Sequence, residues 1–205
     1  MDVTRLYDHP LDPPNPIDDV LATIKVITLA EEQQSLGIVK RGLYNLMSNP
    51  SYWTQLSVDP TPINNSLGWD HVFRLYAARI TLETEWRGYI VVVPCTDERG
   101  KSSCPGRNME GNSAVKCIDD ASREAHWLND VVSRGALKDG PLDPLRYDWV
   151  GEHEEELKNE WCEVCLGERR AAWGEKRSQW WKLLDSLLGC QVEGGKVAEG
   201  DKLSL

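Results

Sequence analysis

The chain is poor in several things that would have assigned it a function quickly. It has a single Phe and only four His. No apolar run approaches the roughly 18 residues of a membrane span, and the first twenty residues show no basic-then-apolar signal pattern. The reading is therefore a soluble, intracellular protein, cytoplasmic or nuclear, with no membrane partner. Positive charge is short as well: 23 Lys and Arg stand against 33 Asp and Glu, a net charge of −10. Phosphate-backbone binding draws on clustered cations that release counterions, so nucleic acid is not an expected partner. Gly-x-Ser-x-Gly, a phosphate-cradling Gly-rich loop and His-Glu-x-x-His are all missing. His9, His71, His126 and His153 stand in no nucleophile-base-orienter context, and no enzyme is expected, the alternative being an enzyme of unrecognised type. The acidic run Glu152, Glu154, Glu155 and Glu156 lacks the glycine of a calcium loop and reads as a solvated helix flank.

What is present is a body of ordinary size and unusual aromatic content. At 205 residues the chain can bury a core without disulfides. Nine Trp and six Tyr suit helix seams or binding surfaces, where an indole or phenol keeps one polar end. Pro10, Pro13, Pro14 and Pro16 make an extended lead-in, after which Asn15 and Pro16 offer an N-cap and first helical residue. Ile17, Val20, Leu21, Ile24 and Ile27 then recur at helical spacing to about Glu31. A second helix, antiparallel to the first, is expected over about Leu36 to Ser48, with one further turn over Ser51 to Leu56. Asp59-Pro60-Thr61-Pro62 reads as a loop. Trp69, Val72, Phe73, Tyr76 and Ile80 mark a third helix, extended by Trp86, Tyr89, Ile90 and Val93, although Tyr89 to Val93 also suits a short strand.

Beyond Val93 the pattern weakens and then returns. Cys95 to Asn112 reads as a long loop, and helical spacing resumes from Cys117 to Gly135. Two more helices are expected, about Pro144 to Glu160 and Glu163 to Leu188. In the last, Leu166, Trp173, Trp180 and Leu187 fall seven apart, with Leu184 between. The expected fold is an all-α, irregular bundle of about six helices, more than about 40% helical, against a usual third. It divides naturally into an N-terminal sub-bundle over 1–94, a loop over 95–112, a C-terminal sub-bundle over 113–189 and a disordered tail over 190–205.

The sharpest local motif is Cys162-Glu163-Val164-Cys165 at the start of a long helix. The turn into a helix brings two such sulfurs to one side, as tetrahedral zinc requires. Two further ligands are needed, and Cys104 and Cys117 come before Cys95, His126 and His153, because they flank a segment able to fold back. The alternative is that Cys162 and Cys165 are small buried hydrophobes at a helix junction, with no cofactor at all. A second candidate surface is the last helix, where Arg169 and Arg170 are interleaved with Trp173, Trp180 and Trp181. Such a set can stack on a partner, though it equally suits a solvated face opposite an apolar one.

Several of these residues together carry a resemblance. Leu6-Tyr7, the Pro-rich stretch, Asp18-Asp19-Val20-Leu21 and the helix to Ala30 are similar to the end of a BTB/POZ domain in fungal BTB-domain proteins. The helix pair that follows, and a later Cys-x-x-Cys opening a long charged helix, resemble the helical region after that domain. Most of the BTB domain, including its dimerising and cullin-binding surface, is missing from this chain. The resemblance implies a non-enzymatic protein-interaction, adaptor or scaffold module whose partners are other proteins, with self-association among the options.

Overall fold

The computed structural model describes residues 19–96, 104, 117–137 and 143–191. Among these it is all-α: 74% are helical and none forms a strand. Nine helices are described: α1 (Val20–Glu32), α2 (Leu36–Met47), α3 (Pro50–Val58), α4 (Thr61–Leu67), α5 (Trp69–Ile90), α6 (Asp120–Ser133), α7 (Trp149–Glu152), α8 (Glu154–Leu157) and α9 (Glu163–Leu187). None is long and apolar enough to cross a membrane.

The first helix starts later than the sequence suggested. Its N-cap is Asp19, whose carboxylate accepts from the amides of Leu21 and Ala22. An Asp satisfies two of the helix's unpaired amides at once, which fixes the start there. Asn15 and Pro16 lie outside the described residues. Val20, Ile24 and Ile27 are buried, and α1 packs chiefly on α2. Gly42 permits that approach, since a Cβ there would meet Ile27 Cγ1 at 2.5 Å. The Asp59 to Pro62 loop is confined to Asp59 and Pro60. Asp59 accepts from the Thr61 amide, and Pro62, in the first turn, gives up no intrahelical bond, so α4 begins at once. Tyr89 to Ile90 belongs to helix α5, as the helical alternative has it.

The expected helix over Pro144 to Glu160 is instead a turn followed by two short pieces, α7 and α8. The reason is the packing of two indoles. Trp149 and Trp161 lie 5.5 and 5.2 Å from Trp127, both edge-on. On one continuous helix these two residues would be about 18 Å apart along the axis, too far to clasp one ring. Asp148 caps a fresh start by accepting from Gly151, and His153 breaks the ladder after Glu152.

One hydrophobic cluster runs from Val20 to Cys190, and α5 against α9 is the main helix contact between its N-terminal and C-terminal parts. Lys40 of α2 pairs with Asp185 of α9 at 2.6 Å and lies 4.1 Å over the Trp181 ring. Tyr44 donates to Asp143 and accepts from the Leu145 amide, tying the turn before α7 to α2. The Lys40 contacts fasten the C-terminal end of α9 to α2.

Candidate metal centre

The four cysteines Cys104, Cys117, Cys162 and Cys165 converge at the start of α9. All four are buried, and their sulfurs lie within 4.8 Å of one another. Cys104 and Cys162 are 3.5 Å apart, Cys117 and Cys165 3.8 Å. A tetrahedron with Zn–S bonds of about 2.3 Å has edges of about 3.8 Å. A disulfide would hold its sulfurs at about 2.05 Å, and all described cysteines are free thiols. The donor set therefore fits a tetrahedral thiophilic ion.

Each sulfur is placed by local structure. Cys162 is the N-cap of α9, with extended backbone, and Cys165 sits in the first turn. Cys117 stands two residues before Asp119, which caps α6 by accepting from the Ser122 amide. Cys162 and Cys165 thus sit at one helix N-terminus, whose positive end favours thiolate, and Cys117 just ahead of another. Cys104 closes the set across 58 residues of sequence from Cys162.

A buried cation lies against the sulfurs. Arg123, on the second turn of α6, donates from Nη2 to Cys165 Sγ at 2.8 Å and to the Pro94 carbonyl at 3.0 Å. Its Nη1 reaches Cys117 Sγ at 3.3 Å and the Ile118 carbonyl at 3.2 Å. The guanidinium is 3% exposed and lies 4.9 Å from the Trp161 ring centre. Among the described residues no carboxylate is one of its hydrogen-bond partners. A buried cation is costly, and of its four described hydrogen-bond partners only the Cys117 and Cys165 sulfurs can carry an opposing charge. Burial works against the charge on Arg123, and bonding to Cys117 and Cys165 outweighs it, raising the pKa.

The thiols are electrostatically unequal. Burial pushes Cys117 up, but the Cys162 amide and Arg123 more than reverse this and bring it down to about 7. Burial raises Cys162 and Cys165, the latter strongly, with crowding by neighbouring thiols adding to it. Four thiols this close cannot all ionise without a cation among them. A divalent ion would relieve all four at once.

Other candidates stand elsewhere. Cys95 is buried beside Cys165, its amide bonded to Glu168, and burial pushes its thiol up to about 11. It is outside the four-sulfur group. His126 pairs with Glu160 at 3.1 Å and His153 with Glu156 at 3.2 Å, both near the surface. The proposed stacking face on α9 is corrected. Trp180 is 2% exposed and donates to Glu85, and Arg169 is 3% exposed and donates to the Tyr89 carbonyl. Trp173 and Trp181 pack partly buried on the core, and Arg170 pairs with Glu154. These side chains lie on the packed side of α9 and join it to α5, α2 and α8, while Val164, Ala171, Glu175, Ser178, Lys182 and Ser186 run along its exposed side. Arg123 and Trp161 were not legible as site residues, since their role depends on how α6 docks on α9.

Compared with known proteins, the chain matches no family model, no curated protein and no solved structure.

Proposed function

We propose that the chain is a non-enzymatic protein-interaction module, of the helical kind that follows BTB domains, whose last helix is pinned by a structural zinc ion. The observation that carries the metal reading is the convergence of four buried thiols within 4.8 Å. Cys104, Cys117, Cys162 and Cys165 would hold the ion, and bound zinc supplies folding energy on the order of 10 kcal/mol or more. Arg123 neutralises part of the negative charge of a four-thiolate set and fixes the direction of two sulfurs.

Four protein thiolates leave no open coordination position, which favours a structural over a catalytic role. The interaction reading draws on the resemblance around Cys162 and Cys165, the partners being other proteins. A net charge of −10 disfavours nucleic acid. Free thiols suit a reducing compartment, cytoplasmic or nuclear.

Cobalt reconstitution tests the centre. Protein stripped of metal and loaded with Co(II) should show the intense visible bands of tetrahedral cobalt together with thiolate-to-cobalt charge transfer. Their loss in Cys104→Ser and Cys117→Ser would accord with the assignment. A pale octahedral spectrum would remove it.

A further inference from the structure

Helix α5 carries two apolar stripes. Val72, Leu75, Ala78, Leu82, Trp86 and Tyr89 face the core. Trp69, Phe73, Tyr76 and Ile80 do not: they are 47, 66, 58 and 47% exposed. Sequence pattern alone had put these four on the packed face together with Val72. They follow one another at spacings of four, three and four, the spacing of a seam between two helices. Trp69 lies 5.9 Å from Phe73 along this stripe, and Tyr76 lies 6.3 Å from the partly buried Trp53 of α3, which flanks it. Scattered exposed apolar residues need no explanation, but a row of four large ones along one helix face does.

We propose that this ridge pairs with its equivalent on a second copy of the chain, α5 against α5 in antiparallel orientation. A dyad between Arg74 and Leu75 sets Phe73 against the partner copy's Tyr76, and Trp69 against its Ile80. The seam is thus complementary to itself, as a two-fold interface must be. At about 200 Å² for a whole aromatic side chain, two copies set roughly 800 Å² of ridge against each other, before Ala77 and Thr84 on its flank are counted. That approaches the roughly 1,200 Å² of the smaller specific interfaces, which fits a dimer of modest affinity.

Charge agrees with this occupant. The chain as a whole is strongly acidic, yet the ridge is bordered by Asp70 and Glu83 on one side of the balance and Arg74 and Arg79 on the other. Arg79 is already paired with Glu83 at 3.0 Å. Copies approaching here meet no net repulsion. An anionic lipid surface would call for a basic border, which this face lacks. The inference deepens the interaction reading by naming its surface, and it does not depend on the metal.

Sedimentation velocity on the full chain, from about 1 to about 200 µM, tests it in the range where a modest dimer dissociates. Wild type should pass from monomer to dimer, and Phe73→Glu with Tyr76→Glu should weaken dimerisation at least about tenfold. Val58→Glu, at an exposed residue off the ridge, should leave the dimer unchanged. Far-UV circular dichroism should be the same for all three proteins. A wild type that stays monomeric, open-ended association, or a dimer indifferent to the ridge variant would overturn the proposal. So would a chain that dimerises only after residues 1–18 are removed, since the ridge would then belong to that segment. If the chain is monomeric but the ridge variant loses binding to a different protein, the pairing fails while the interaction reading stands.

Discussion

The two ends of α9 bury cysteine in opposite ways. At its start, Cys162 and Cys165 lie among other sulfurs, with the Arg123 guanidinium against them. Just past its end, Cys190 is equally buried, but its sulfur bonds only the Leu188 carbonyl among described partners. Burial raises Cys190 to about 11, with Lys40 and Asp185 acting in opposite directions. Burial alone therefore does not mark a functional thiol. What marks the first end is a group of sulfurs too close to ionise together and a buried guanidinium bonded to two of them. Gly189, at φ 71°, ends α9 and turns the chain so that Cys190 packs as a small hydrophobe.

The widest separation of the two ends should come from removing thiols. Cys162→Ser combined with Cys165→Ser should abolish metal binding and lower Tm by more than about 10 °C, given the energy of structural zinc. Hydrogen exchange should rise around residues 117–137 and 143–165, while amides of α1, α2 and α5 keep much of their protection. Cys190→Ala should cost only about 1 kcal/mol, a few degrees, as loss of a small buried side chain does. Equal effects at both ends would erase the distinction.

The helices were legible because α1, α2, α5 and α9 carry long periodic patterns. Which stripe of α5 is buried was not, since Trp69, Phe73, Tyr76 and Ile80 repeat as regularly as Val72, Leu75, Leu82 and Trp86. The docking of α2, α4 and α9 on α5 decides between them. The break between α7 and α8 was hidden for a similar reason: it serves the clasp of Trp127 by Trp149 and Trp161, a contact across the fold. The four clustered sulfurs were legible by residue type and by the Cys-x-x-Cys turn. Arg123 was not, because a guanidinium between two thiols is created by the packing of α6 on α9.

A smaller effect is expected from Arg123→Lys. An ammonium cannot reach both sulfurs and both carbonyls in one plane. Metal affinity should fall roughly 10- to 100-fold, as outer partners of metal ligands do on mutation, with zinc still bound at saturating concentration. Competition with a chromogenic chelator would measure it, and an unchanged affinity would make Arg123 a packing residue only.

The smallest effect concerns pH at the other end. Cys190 is raised from about 9 to about 11, so the folded state holds its proton more tightly than the unfolded chain does. Its contribution is fully present below pH 9 and is lost as pH rises through 11. Tm should therefore fall over that window, and Cys190→Ala should make the fall shallower. Identical slopes would show that Cys190 does not titrate as its burial implies.

The most direct test of the metal centre is elemental analysis of the chain purified without chelator, combined with mass mapping of thiols open to alkylation under native conditions. One zinc per chain is predicted, with Cys104, Cys117, Cys162 and Cys165 protected until a chelator is added. Substoichiometric metal, with those four cysteines alkylated no more slowly than Cys190, would contradict it.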